Sequence, residues 1–174
     1  MADKVQKKPS EMTESEKYSK ISYLEHKFYD IDDGKASALL EQEVALYNLS
    51  NDPFISANIR QLKTMEQHTI KLVGEYNVRF TNEMHPLVRG FQQQMENLVR
   101  QHKHERAQLL ASSYPERKIT MSDLLTLQTQ EITKLKQDQT KQKKALHERL
   151  SEPINKSRRA AFFVFSRVVR QIYR

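Results

Sequence analysis

Along the middle of the chain, apolar residues return every third or fourth position. Leu62, Met65, Leu72, Tyr76, Phe80, Leu87, Phe91, Met95 and Leu98 mark one stripe, with Ile55, Thr69, Met84, His102 and Leu109 in the same rhythm. Spacing of this kind predicts an amphipathic helix whose apolar face is a coiled-coil seam. The three consecutive four-residue steps from Leu72 to Met84 are a stutter that locally unwinds a supercoil. Pro86 follows directly, so a kink near His85 is expected. A second stripe runs through Leu125, Ile132, Leu135 and Leu146, with Gln139 and Gln142 where leucine would be favoured. Polar residues in a seam lower its stability and help fix its register. No stretch alternates with period two for long enough to suggest a sheet. The pattern predicts an all-α chain of elongated coiled-coil helices that form a bundle with partner chains.

Shorter stripes and breaks complete the layout. Tyr18, Ile21, Leu24, Phe28 and Ile31 predict a helix over 15–31, and Asp32-Asp33-Gly34 a turn. Leu39, Leu40, Val44 and Tyr47 share a face of a second short helix. Ser50-Asn51-Asp52-Pro53 reads as a restart, since a capping side chain followed by Pro suits the first helical position. Ser112-Ser113-Tyr114-Pro115 ends the long helix, and Thr120 with Asp123 resembles a capping box for the next. Ser151-Glu152-Pro153 separates a tail. The predicted elements are a disordered arm over 1–14, short helices over 15–50 and a long coiled-coil helix over 51–111. A second coiled-coil helix over 116–151 and a basic amphipathic helix over 153–174 follow.

Each seam is only one or two residues wide per turn, and helices gain most of their stability from tertiary burial. Hydrophobic residues make up 37% of the 174, against about 45–50% in ordinary domains, so little core is expected from the chain alone. A fold-back near Tyr114-Pro115 would still leave residues 54–84 uncovered. Partners are therefore expected, in the form of other small helical coiled-coil proteins.

The last residues, SRRAAFFVFSRVVRQIYR, are too short and too charged to span a bilayer, which takes about 20 mostly apolar residues. On a helix, Arg159, Arg167, Arg170 and Arg174 gather on one arc with Ser166, while Phe162, Phe165 and Val168 lie on the broad apolar side; Phe163 falls among the arginines. Such a face suits docking on a partner or on the rest of the chain, or lying in an anionic membrane interface. Lys156-Ser157-Arg158-Arg159 also offers a short basic run for nuclear import or nucleic acid.

Charge narrows these readings. The formal net charge is +7, and the segment from Pro153 onward carries six basic residues and no carboxylate, leaving the other 152 residues at +1. A nearly neutral body with a basic end argues against a general nucleic-acid binder. With Cys 0, disulfides and thiolate metal sites are excluded. His102 and His104 diverge on a helix, no HExxH or glycine-rich phosphate loop occurs, and Asp32-Asp33 reads as turn polarity. No catalytic residue, metal or cofactor is expected. The N-terminal MADKVQKKPSEM has no apolar signal segment, which predicts a cytoplasmic protein.

Leu39-Leu40-Glu41-Gln42-Glu43 after Gly34, and Thr64-Met65-Glu66-Gln67-His68-Thr69-Ile70, lie in an order that resembles the Muted subunit family of the biogenesis of lysosome-related organelles complex one. The likeness covers about residues 20–150. Gln67 interrupts the family's Glu-His pair, the Ser50–Pro53 break falls within a helix, and the tail after Pro153 is additional. The resemblance implies a non-enzymatic subunit of an elongated hetero-oligomer in endosomal cargo sorting. Pigment granules and other lysosome-related organelles would be its destination, with the protein cytoplasmic and peripheral on endosomal membranes.

Overall fold

The computed structural model describes residues 6–112 and 119–174. These residues are all-helical: α1 spans Glu14–Asp30, α2 Ala36–Leu46, α3 Pro53–Ala111 and α4 Met121–Ile172. They divide into two compact units, one of Met1–Glu75 with Glu152–Arg174, the other of Tyr76–Ser151.

Helix starts follow local chemistry. Thr13 accepts the Glu16 amide at 3.2 Å to cap α1, Asp52 accepts the Ile55 amide at 3.0 Å before Pro53 opens α3, and Thr120 accepts the Asp123 amide at 3.1 Å before α4. The expected turn at Asp32-Asp33-Gly34 is present. Gly34 has φ +91°, and a Cβ there would stand 3.0 Å from Ile70 Cδ1, so glycine suits both the backbone and the space. The start of α2 has no capping side chain of its own. Glu66 of α3 supplies one: its carboxylate accepts the Ser37 amide at 2.7 Å and the Ser37 hydroxyl at 2.6 Å.

Several expectations need correction. The arm expected to be disordered is ordered over its described part: Pro9–Glu11 form a single 3-10 turn, Lys7 pairs with Glu16 at 3.1 Å, and Met12 packs on the core. Pro86 lies inside α3, which runs through as the expected long helix, whereas Pro153, expected at a break, lies inside α4. A mid-helix proline removes one hydrogen bond and costs roughly 3 kcal/mol. Here Pro86, Pro153 and the residues four positions earlier, Asn82 and Arg149, are all exposed, so water can satisfy the freed carbonyls. On either side of Pro153, Leu150 and Ile154 are each buried. Residues 153–172 thus continue α4 without a break, although the division between the two units falls at Ser151–Glu152, where the tail was expected to begin. α3 ends at Ala111, directly before Ser112 as expected, while Ser113-Tyr114-Pro115 fall outside the described residues.

That continuation supplies the cover that residues 54–75 were expected to lack. In the first unit α4 runs antiparallel to the start of α3, with Ser157 bonded to Thr69 at 2.7 Å and Arg167 to Asn58 at 3.2 Å. It is also antiparallel to α1, where Ser166 donates to Glu25 at 2.7 Å. One core gathers Leu24 of α1, Leu40 and Val44 of α2, Ile55, Ile59 and Leu62 of α3, and Val164, Phe165, Val168, Val169 and Ile172 of α4. Four narrow stripes that could bury little separately close on one another.

Candidate partner-docking surfaces

The second unit is an antiparallel pair of helices, the middle of α3 against the first half of α4. Polar side chains bridge it at several points. His102, 2% exposed, donates from Nε2 to Glu131 at 2.9 Å. Gln128, also buried, donates to the His102 carbonyl at 3.0 Å and to Glu105 at 3.1 Å, and accepts from Arg106 at 2.8 Å. Hydrogen bonds from Gln128 and Gln101 hold the Glu105 carboxyl below the usual carboxylate range. Gln139 donates to the Phe91 carbonyl at 3.3 Å, filling the seam position expected to weaken the pair. Tyr76 meets His147 at 2.5 Å and stacks on Phe80. Buried hydrophobics here are Phe91, Leu124, Leu146 and Leu150.

The predicted seam residues of α3 separate into two groups. Leu62 is fully buried in the first unit's core, with Met65 half-buried against it; it has no surface left for a partner. Leu72, also in that unit, and Tyr76, Phe80, Leu87, Met95 and Leu98 in the second are half-buried, and Phe91 is buried. On α4, Ile132 and Leu135 are half-buried and Leu146 buried, but Leu125 is 46% exposed. Leu124, not Leu125, enters the seam, because it keeps step with Gln128 and Leu135.

Two edges flank the seam of the second unit. Val88, Met95 and Val99 step seven and then four along α3, and Leu125 and Ile132 step seven along α4. Each edge is rotated from its seam in the same sequence direction. Because the helices are antiparallel, both edges emerge on one side of the pair. Val99 is 48% exposed and the other α3 edge residues are half-buried. This side carries partly exposed apolar surface.

Of the alternatives expected for the tail, the apolar side takes docking on the rest of the chain. Phe165 and Val168, expected on a docking face, are 0% exposed in the chain's own core. Phe162 is half-buried, its ring 5.4 Å from Phe28 and 5.1 Å from Tyr29. Burial wins because Phe165, Val168 and their neighbours complete the apolar faces of α1, α2 and α3. Arg159, Arg167, Arg170 and Arg174 are exposed. Tyr173 donates to Glu43 at 2.6 Å, and burial with that bond pushes its phenol pKa well up.

A cleft of about 500 Å³ in the first unit is lined by Phe28, Tyr29, Asp33, Glu66, Asn155, Arg158 and Arg159 among others. Its charged groups satisfy one another. Arg158 grips Asp33 at 3.0 and 2.6 Å, a hydrogen-bonded pairing that raises the guanidinium pKa against the opposing effect of burial. Arg159 reaches Glu152 at 3.0 Å. Among the described residues, no cluster of three His, Asp or Glu side chains could hold a metal, no buried side-chain polar atom lacks a partner, and no helix is long and apolar enough to cross a membrane. The trans cap by Glu66 was not foreseen; its only sequence signal is a carboxylate among the apolar positions of the stripe. No protein-family model, curated protein or solved structure matches this chain.

Proposed function

We propose that this protein is a non-enzymatic helical subunit of a hetero-oligomeric complex, whose Tyr76–Ser151 unit binds helices of other small coiled-coil proteins. The observation that carries the reading is the contrast between the units. The first closes a core around Phe165 and Val168, whereas the second leaves its seam half-buried and its Val88–Met95–Val99 and Leu125–Ile132 edges partly exposed. Two helices cannot enclose a seam, and a third or fourth laid along these edges would bury it as bundles do. The cellular setting comes with the resemblance alone: endosomal sorting toward lysosome-related organelles such as pigment granules, on a complex related to the one that contains the Muted subunit.

The test is capture of the tagged full chain from cells at its natural level, followed by sizing, beside the double variant Val99→Glu/Leu125→Glu. Both positions are about half exposed, so the variant keeps its helicity by circular dichroism. The wild type should hold a defined set of small helical proteins and the variant should lose them. A wild-type chain recovered alone, or partners unaffected by the variant, would defeat the proposal.

A further inference from the structure

The outward face of the last helical turns is distinct from the partly exposed apolar side of the second unit. Lys156, Arg159, Phe163, Arg167, Arg170 and Arg174 are all exposed. The spacing of the first five places them within one arc of α4, on the side opposite Phe165 and Val168, along about 21 Å of helix, and Arg174 lies just past the helix end at Ile172. Phe163 is 68% exposed at the centre. Two carboxylates reach the stripe: Glu152 meets Arg159 at 3.0 Å, and Glu25 meets Arg170 at 3.2 Å. Five cations against two carboxylates leave a surplus of three. Arg167 is bonded to the neutral Asn58.

We infer that this stripe is a docking face for an anionic bilayer surface, with Phe163 as its inserted side chain. The charge surplus selects a negatively charged occupant. The shape selects a lipid surface over an acidic protein: the stripe is the convex side of one helix with a single protruding ring, and a fluid headgroup layer closes around such a ring without a preformed pocket. Exposed aromatic area continues beside it in Tyr29, 64% exposed, whose ring is 5.1 Å from that of Phe162. The broad apolar side of the tail stays in the core throughout, so docking needs no opening of the fold.

The test uses the full chain with vesicles of phosphatidylcholine containing about 30 mol% phosphatidylserine, beside pure phosphatidylcholine vesicles. Binding should appear on the anionic vesicles alone and weaken as salt is raised. Phe163→Ser should reduce it about tenfold, and Arg159→Glu/Arg167→Glu should abolish it, with helicity unchanged. The chain has Trp 0, so Phe163→Trp supplies a unique reporter whose emission should shift to the blue on anionic vesicles. No binding to anionic vesicles, or binding indifferent to the charge reversal, would overturn the inference. So would a Phe163→Trp signal that stays water-like, or capture of an acidic peptide such as polyglutamate in place of the vesicles.

Discussion

Glu66 gives the sharpest test of how the first unit is held together. It is 8% exposed, and its two oxygens accept the Ser37 amide at 2.7 Å and the Ser37 hydroxyl at 2.6 Å. Ser37 is 4% exposed, so water cannot replace the carboxylate. Hydrogen bonds to a charged acceptor contribute about 1.5 kcal/mol each at the low end, and two give about 3 kcal/mol for Glu66→Ala. For a unit of this size that loss lowers the melting temperature by roughly 15 °C. Glu66→Gln, which keeps one acceptor, should lose about half as much. The assay is urea unfolding followed by helicity, with Ser37→Ala closing a double-mutant cycle. The coupling should be about 1–2 kcal/mol, the share carried by the hydroxyl. If Glu66→Ala stays within about 0.5 kcal/mol of wild type, the trans cap does not hold α2 and the reasoning fails.

Other outcomes follow from the same packing. Val168→Asp places a charge at a 0% exposed position; it should cost several kcal/mol and abolish cooperative unfolding of the first unit, measured by thermal melts. Gln139→Leu should stabilise the second unit by about 1 kcal/mol in urea titrations, because the side chain's bonds at 3.3 and 3.4 Å are long and its site is partly apolar. Glu105 titrates below its ordinary value, so its contribution is present above the unfolded carboxylate pKa and is lost as pH falls through the lowered folded value. Unfolding midpoints against pH should therefore fall less steeply in Glu105→Gln than in wild type.

The stripe from Leu62 to Leu98 was legible because one helical period runs through it and every member ended buried or half-buried. The Asp52-Pro53 and Thr120 starts were legible because capping is local. What faces the stripe was not. The core joins Leu24 to Phe165 and Val44 to Ile172, across most of the chain length, and no short window records such a meeting. Pro153 misled for a related reason: its cost is local, while the burial of Leu150 and Ile154 on either side of it is tertiary. Adjacent leucines at 124 and 125 left the seam register ambiguous until the buried Gln128 fixed it. The cleft was not anticipated, since it forms where α1, the Gly34 turn and α4 converge.

Backbone amide hydrogen exchange on the isolated full-length chain tests most directly whether one unit is complete and the other awaits partners. Amides of residues 154–172 should exchange slowly, near the limit set by unfolding of the first unit, while those of 124–146 exchange orders of magnitude faster and slow down when partner helices are added. Equal, strong protection of both segments in the isolated chain would contradict the account.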